Sequence, residues 1–521
     1  MAVSGPARLT CAPNVGRWVL AATILGSSMA FIDGTVVNLA LPVLQAELQA
    51  TATQVQWVVQ AYALTLSALI LVGGSLGDHL GRRRVFMWGV GLYVLASIAC
   101  GLAANVGQLI AAQALKGLGG AMLVPGSLAI ISATFDETQR GRAIGTWSAA
   151  TSVTLALGPV LGGWLVETVS WRAAFLINLP LAVAVLAMSA WRMPESRDET
   201  VAGQRLDWGG ALLAMLGIGA VVYGLTTGAR LGLGHPQAWG PMVAGVLVLA
   251  AFVWLEARLA APMLPLGVFR SPTFRGTNLL TLMVYSALGG ALFYLPFNLI
   301  QVQGYSPTAA GAALLPFILI LSVLSRWSGG LVERYGARLP LIVGPLIVAA
   351  GFALLALPGM GGVYWTTFFP AVAVIGLGMA LTVAPLTTAV MNSVATHQVG
   401  VASGVNNAAA RAAGLLGVAV MSIILTSVFN GELDARLAAL DAPPEARAAV
   451  EAQRANLAAA QVAVGADAEV QAAVERAIKE AYVAGFRVAM LFAAGLAAAG
   501  ALASWAMIEG KRGESGRVAA S

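Results

Sequence analysis

The feature that most constrains this chain is a series of long apolar stretches separated by short polar loops. A helix needs about 20 apolar residues to cross the ~30 Å hydrocarbon core of a bilayer. Open sheet edges and exposed loops are unstable in hydrocarbon, so each stretch is expected to be helical. We therefore predict an all-α polytopic membrane protein with fourteen transmembrane helices, near residues 18–41, 54–77, 85–104, 107–131, 142–166, 172–191, 207–228, 238–257, 276–300, 307–332, 339–358, 364–391, 401–428 and 485–508.

The composition excludes a water-soluble fold. Hydrophobic residues make up 59% of the chain and charged residues 10%, whereas an ordinary soluble domain has roughly 25% charged residues. So few charges could not cover the surface of a soluble protein of this size. The two cysteines, Cys11 and Cys100, lie in unlike surroundings, so neither a disulfide framework nor a metal centre is expected.

The basic residues indicate the direction of the crossings. With the N-terminus in the cytoplasm, the inner segments hold eighteen of the 29 Lys and Arg residues, and the short outer loops hold only Arg172 and Arg230. This asymmetry predicts an even number of crossings with both termini cytoplasmic. Because the net charge of +6 is spread over many loops, no nucleic-acid partner is expected. The scarcity of lysine suggests a GC-rich bacterial genome, so we place the chain in a bacterial inner (plasma) membrane.

A distinctive motif, GGSLGDHLGRRRV at residues 73–85, follows the second stretch. Its glycines permit close helix approach and a sharp turn, and Asp78 at a helix end could pair with the arginines nearby. The arginines could also serve only to set the topology. The combination resembles the signature loop of the major facilitator superfamily. The resemblance implies a cytoplasmic gate, which we assign to Gly74, Asp78, Gly81, Arg82, Arg83, Glu333, Arg334 and Arg338.

The second set of gate residues belongs to an internal repeat that the resemblance predicts. A constant offset of 255 residues carries Gly74, Asp78 and Gly81 onto Gly329, Glu333 and Gly336. The same offset carries the first apolar stretch onto the ninth. Two parallel six-helix halves with a site between them fit transport by alternating access. We predict a cytoplasmic tail 1–17, an N-terminal bundle 18–193, a linker 194–273 with two extra helices, a C-terminal bundle 274–508 and a cytoplasmic tail 509–521.

The C-terminal bundle includes a long outer segment, 429–482, that is rich in Ala and Glu. It is predicted to form surface helix outside the membrane. The segment is either a solvated cap or an element that gates the substrate path.

Three further stretches narrow the resemblance. FIDGTVVNLALP at 31–42, LGPVLGGWL at 157–165 and WRAAFLINLP at 171–180 resemble the fourteen-span drug:proton antiporter family of multidrug efflux transporters. In that family the Gly-Pro and Gly-Gly pairs of the fifth span mark exporters, here Gly158, Pro159, Gly162 and Gly163. Such residues also serve ordinary close packing of bendable helices.

Asp33 is the one carboxylate well inside a predicted span, where an ionisable side chain is costly and functional by default. We predict a role in proton coupling or substrate contact, with a structural ion pair as the alternative. In that family the fourth span carries an Arg-x-x-Gln-Gly pattern, which implies assistance in proton transfer. Here the corresponding residues are Gln113 and Lys116 before Gly117, so the arginine is missing and a cation appears three residues later. We assign Gln113 and Lys116, with Asp33, to proton coupling. Counting 1.5 Å per residue places Asp33 and Lys116 level within a helical turn. We predict that they pair during transport; alternatively, Lys116 contacts only polar groups or water.

A second cation, Arg411, lies in the thirteenth span, with no carboxylate in the C-terminal spans to pair with it. It is therefore expected to face the central cavity and to favour neutral or anionic amphiphiles. The predicted cavity residues are Asp33, Asn38, Trp57, Tyr62, Tyr294, Asn298, Gln301, Asn406, Asn407 and Arg411.

The leading functional prediction is a proton-driven exporter of amphiphilic small molecules, functional as a monomer among membrane lipids and without a cofactor. A lipid or metabolite transporter or flippase with weak or no proton coupling is the alternative, since the fourth-span arginine is missing. A membrane enzyme or sensor is a remote third possibility, because the sequence has no Walker loop, zinc-ligand spacing or nucleophile elbow. No catalytic residue is predicted.

Overall fold

A computed structural model describes residues 13–135, 137–197, 207–259, 262, 264–394, 399–440, 443–460 and 468–509. Within these ranges the chain is helical and contains no strand. Most of the predicted tails, 1–17 and 509–521, and part of the linker 194–273 lie outside the described residues.

The helices of the first part of the chain follow the predicted apolar stretches closely. The sixth stretch is divided between a short helix, α6, and the longer α7. The helices are α1 (Pro13–Glu47), α2 (Ala52–Leu80), α3 (Arg82–Gly101), α4 (Val106–Thr134), α5 (Glu137–Thr168), α6 (Ala173–Leu176), α7 (Asn178–Arg192), α8 (Trp208–Leu231) and α9 (Pro236–Glu256).

The later helices include the outer segment, which is helical as predicted where it is described. It comprises the end of α16, all of α17, a 3₁₀ turn at Arg454–Ala459 and the start of α18. The helices are α10 (Pro272–Phe297), α11 (Pro307–Ala313), α12 (Leu315–Tyr335), α13 (Pro340–Leu355), α14 (Tyr364–Thr367), α15 (Phe369–Asn392), α16 (Val399–Ala439), α17 (Pro444–Gln453) and α18 (Ala468–Met507).

The number of crossings is only partly confirmed. Twelve helices among the described residues are long and apolar enough to cross a membrane, and a thirteenth is obtained if the two parts of α2, bent by 50°, count as one span. The remaining predicted span, 339–358, contains α13, which has 16 residues and is shorter than a typical crossing. The count of fourteen therefore stays a prediction.

Small residues set the closeness of the helix packing. A Cβ atom at Gly73 in α2 would lie 2.1 Å from the Ala121 carbonyl oxygen of α4, and one at Gly417 in α16 would lie 2.0 Å from the Ser286 carbonyl oxygen of α10. Lipid is as apolar as the helix interior, so close backbone contact rather than hydrophobic exclusion holds such helices together.

The helices pack as two groups with a pair between them. In the first group α4 packs on α2 and α3, and α1 packs on α5 and α7; in the second, α10 packs on α16 and α18, and α15 packs on α12 and α13. Helices α8 and α9 pack against each other, and α8 also contacts α2 and α16. We call the end of the molecule where α1 ends and α2 begins the outer end, and the opposite one the inner end.

Candidate functional site

A salt bridge lies deep within the first group of helices. Lys116 Nζ of α4 is 2.7 Å from Asp33 Oδ1 of α1, and the two side chains are 0% and 2% exposed. The two residues thus form the contact predicted from their depths, and Lys116 does more than contact neutral polar groups or water. Its part in proton coupling stays a prediction.

Aromatic rings and one amide enclose this pair. Lys116 Nζ lies 4.8 Å from the ring centroid of Phe175 and 5.5 Å and 5.8 Å from those of Tyr62 and Tyr93. Such cation–π contacts compensate a desolvated ammonium group in part. Asn178 Nδ2 donates to Asp33 Oδ1 at 3.4 Å. The pair is therefore buried and surrounded by neutral neighbours.

Sequence reasoning missed Phe175 and Asn178 as members of this site. Both belong to the WRAAFLINLP stretch at 171–180, which indicates the family but not a contact with Asp33 or Lys116. Gln113 was predicted to assist proton transfer. It is 1% exposed, and among the described residues it makes no hydrogen bond to the pair and its Oε1 has no hydrogen-bond partner.

The neighbouring face of α1 is open. A Cβ atom at Gly34 would meet nothing within 4 Å, and Asn38, one turn later, donates to the Gly34 carbonyl oxygen at 3.0 Å. Gly34 is exposed and Asn38 is partly buried. The helix therefore carries the buried pair on one face and an accessible surface beside it.

The predicted asparagines of α16 point in different directions. Asn406 donates to Thr281 Oγ1 and Asn278 Oδ1 of α10 at 2.7 Å and 3.2 Å, so it belongs to the contact between these helices. Asn407 is exposed and donates only to the Ser403 carbonyl oxygen of its own helix, at 3.0 Å.

Arg411 lies one turn after Asn407 on α16 and is partly buried. Tyr62 of α2 is near enough to interact with it electrostatically. The guanidinium has no hydrogen bond or ion pair with any residue that the structure describes. The Tyr62 ring centroid also lies 5.5 Å from Lys116 Nζ, and we call Arg411, Tyr62 and the Asp33–Lys116 pair together the central site.

Four of the predicted cavity residues lie elsewhere. Trp57 packs on Tyr223 of α8, with ring centroids 6.3 Å apart, so it faces the α8–α9 pair. Tyr294 is 4% exposed, and its carbonyl oxygen accepts from the Tyr482 hydroxyl of α18 at 3.3 Å. Asn298 Oδ1 accepts from Gln303 Nε2 at 3.2 Å, and Gln301 Nε2 donates to Gln45 Oε1 at 3.1 Å, both at the outer end.

The glycines of the fifth span join α5 to two other helices. A Cβ atom at Gly158 would lie 2.1 Å from Thr35 Oγ1, and one at Gly162 would lie 2.8 Å from Val36 Cα, both of α1. A Cβ atom at Gly163 would lie 2.3 Å from the Pro307 carbonyl oxygen of α11. Pro159 also faces α11, where its carbonyl oxygen lies 2.2 Å from a Cβ built at Gly311.

Polar contacts cross between the two groups of helices at the same outer end. Gln45 Nε2 donates to the Asn456 carbonyl oxygen at 3.2 Å, and the Thr308 amide donates to Glu167 Oε2 at 3.2 Å. Deeper in the molecule, Gln60 Nε2 lies 3.5 Å from the Leu415 carbonyl oxygen. The outer segment thus takes part in closing the outer end above the central site.

The signature loop and its repeat have the same local geometry at the inner end. Gly81 ends α2 with a φ of +109°, and Gly336 ends α12 with a φ of +76°, values that favour glycine. Arg83 Nη2 donates to the Ala190 carbonyl oxygen near the end of α7, and Arg338 Nη2 donates to that of Trp505 near the end of α18. The two motifs therefore match in structure as well as in spacing.

The remaining gate residues make local contacts. Arg82 Nη2 pairs with Asp78 Oδ1 at 2.8 Å within the loop, and Gly74 faces Pro125 of α4. Glu195, which sequence reasoning missed, accepts from the Arg83 amide at 3.0 Å. Arg334 lies over the Tyr335 ring, and the side chain of Glu333 lies outside what the structure describes. Within the described chain, no cluster of three or more His, Cys, Asp or Glu could hold a metal ion.

Comparisons with protein families, with curated proteins and with solved structures agree with one another. The family model described as Major Facilitator Superfamily matches residues 23–418. The chain is 35% identical to the multidrug resistance protein Stp of Mycobacterium tuberculosis (strain CDC 1551 / Oshkosh), over 80% of this chain and 77% of that protein. It is 34% identical to the tetracenomycin C resistance and export protein of Streptomyces glaucescens, over 81% and 79%. A solved bacterial homologue of the human lysosomal transporter Spinster, inward-facing and unoccupied, is similar in fold, with a TM-score of 0.66, 18% identity and coverage of 96% and 98%.

Proposed function

This chain belongs to the major facilitator superfamily, and we propose that it is a proton-driven secondary exporter of amphiphilic small molecules, including drugs or antibiotics. It is a multi-pass membrane transporter and not an enzyme, as its family and relatives indicate. The names of its relatives describe resistance to, and export of, drugs and antibiotics. They support an export direction for this chain.

The observation that carries the proposal is the buried Asp33–Lys116 salt bridge. Desolvating two charges costs several kcal/mol per ion, so such a pair is weak evidence for stability and suits a switch. Protonation of Asp33 would cancel the attraction and leave Lys116 to its aromatic neighbours. Loss of the proton would restore the pair. Proton binding at Asp33 would in this way change the packing of α1 against α4.

Alternating access would link this change to transport. We assign residues 18–193 and 274–508 to two six-helix halves and residues 194–273 to a linker with two inserted helices, with fourteen crossings in all. The matched contacts of Arg83 and Arg338 support two equivalent halves. The close approach of Gly163 to α11 and the contacts of Gln45 support a state closed at the outer end. We place the protein in the bacterial inner membrane as a monomer with both termini in the cytoplasm.

Transport into proteoliposomes with an imposed pH gradient tests the proposal. We expect the native protein to move the neutral fluorescent amphiphile N-phenyl-1-naphthylamine only when the gradient is present, and Asp33→Asn to abolish the effect of the gradient. Lys116→Gln should also weaken coupling, because it removes the partner of Asp33. Glu469→Gln, which removes an exposed acid at the start of α18, is the matched control and should behave as the native protein does.

The missing fourth-span arginine favours a second candidate, a lipid or metabolite transporter with weak or no proton coupling. Transport that ignores the gradient in both the native protein and Asp33→Asn would contradict antiport and support this candidate. Intact proton-driven efflux in Lys116→Gln would instead show that the salt bridge is not part of the coupling.

A further inference from the structure

The central site contains one cation more than it can neutralise. Asp33 and Lys116 cancel each other's charge at 2.7 Å. Arg411 has no acidic partner among the described residues and lies twelve residues into α16, or ~18 Å from the start of that helix at Val399. An unpaired charge at that depth in a membrane is costly, and it is retained where it serves a ligand or an ion path.

The surroundings of Arg411 differ from those of a cation that is satisfied by its own protein. Arg487 of α18, for example, donates from Nε to the Ala356 carbonyl oxygen at 3.0 Å. Among the described residues Arg411 has no such acceptor, although backbone carbonyl groups are usual partners of intramembrane arginines. Its side chain is partly accessible and Asn407, one turn away on the same helix, is exposed. Arg411 thus keeps some exposure beside an exposed asparagine, while none of the described residues accepts a hydrogen bond from its guanidinium.

We propose that Arg411 is the binding site for an anionic group, a carboxylate or sulfonate, carried by the amphiphilic substrate. A guanidinium offers a planar fork of N–H donors that matches two oxygens of such a group. The Tyr62 hydroxyl is near Arg411, and the centroid of the Tyr62 ring lies 5.5 Å from Lys116 Nζ. A bound anion would supply the charge that Arg411 lacks, so the site selects anionic over neutral amphiphiles. This inference rests on the proposed export function, whose substrate class it specifies.

Two probes that share one ring system test this selectivity. The anion 8-anilinonaphthalene-1-sulfonate differs from neutral N-phenyl-1-naphthylamine only by its sulfonate group. Binding of each is measured by equilibrium dialysis against the full-length protein in nanodiscs, with protein-free nanodiscs subtracted. We expect the native protein to bind the anion at least about tenfold more tightly, which is the scale of a charge-assisted hydrogen bond.

Variants at the same position identify the group responsible. Arg411→Gln should abolish the preference for the anion while changing the Kd of the neutral probe less than about twofold. Arg411→Lys should retain part of it, because the charge remains but the fork is lost. Arg487→Gln is the matched control and should keep the full preference. Equal affinities of the native protein for the two probes, or equal weakening of both in Arg411→Gln, would overturn the proposal.

An inorganic anion offers the same chemistry, and the assay separates it from a substrate. Replacing chloride by gluconate should leave the preference unchanged. A preference that appears only without chloride would mean that chloride occupies Arg411, which would also overturn the proposal. Because binding is measured without a pH gradient, gradient-independent transport would contradict the antiport function without affecting this result.

Discussion

At the scale of single residues, the buried Asp33–Lys116 salt bridge is the central feature of the proposed mechanism. Its Coulombic attraction is strong because both side chains are buried, and for the same reason each charge depends on the other. Phe175, Tyr62 and Tyr93 surround Lys116 without supplying a second acid. Under the proposed proton coupling, binding of one proton at Asp33 would therefore leave Lys116 without an acidic partner among the described residues.

This dependence predicts a non-additive effect on stability. Lys116→Gln leaves the Asp33 carboxylate buried and unpaired, which should lower the free energy of unfolding by about 3 to 5 kcal/mol. Asp33→Asn should cost a similar amount by leaving Lys116 unpaired. The double variant should recover most of the loss, because no isolated charge remains. Unfolding in detergent, monitored at fixed pH, measures all four proteins, and additive losses would show that the two side chains do not depend on each other.

The sequence predicts how deep in the membrane the site residues lie, but only partly which neighbouring helix each side chain faces. Asp33 and Lys116 could be paired because residue counting gives their levels in the membrane. Trp57 and Tyr294 lie at levels that suit the cavity, yet Trp57 faces α8 and Tyr294 is buried among the helices. In a membrane the outer surface and the interior of a bundle are both apolar, so the sequence of a helix barely distinguishes its faces. The contacts of Glu195 and Asn178 could not be predicted because their partners, Arg83 and Asp33, are remote in sequence.

At the scale of helices, the contact of α5 with α11 is the one that would have to separate under the proposed alternating access. Gly163 and Gly311 let backbone meet backbone, with room for no side chain. The sequence indicated these glycines through the family motif, but not that they join α5 to α11. Periodicity and spacing predict helices and repeats well, whereas contacts between helices depend on the packing of the whole bundle.

A side chain at this contact should shift the protein toward a state that is open at the outer end. Gly163→Ala would place a methyl group 2.3 Å from the Pro307 carbonyl oxygen, at a cost of about 1 to 3 kcal/mol in the closed state. A change of about 1.4 kcal/mol alters the ratio of two states tenfold. Spin labels at Val169 and Met360, in a background without the native cysteines, report the separation of the outer ends.

Gly145→Ala is the matched control for this experiment. It adds the same methyl group to α5, at a position where a Cβ atom meets nothing within 4 Å. We expect longer distances between the labels in Gly163→Ala and an unchanged distribution in Gly145→Ala. Identical distributions in all three proteins would mean that the α5–α11 contact is not what closes the outer end.

At the scale of the whole molecule, the two-half architecture depends on whether α13 crosses the membrane. Its 16 residues extend about 24 Å, less than the ~30 Å hydrocarbon core. Local thinning of the bilayer can accommodate a short helix at a modest cost. The repeat supports a crossing, because α13 follows Gly336 as α3 follows Gly81.

Single cysteines at open glycine positions test this crossing in a Cys11→Ser, Cys100→Ala background. We expect a membrane-impermeant maleimide to label Gly359→Cys, just beyond α13, in intact cells, as it should label Gly234→Cys in the loop between α8 and α9. Gly267→Cys, between α9 and α10, should react only after permeabilisation. All three sites leave open space around an added Cβ, so differences in labelling reflect the side of the membrane and not local crowding. If Gly359→Cys is protected in intact cells, as Gly267→Cys is, then α13 does not cross the membrane. Every later helix would then run in the opposite direction, which is incompatible with two equivalent halves.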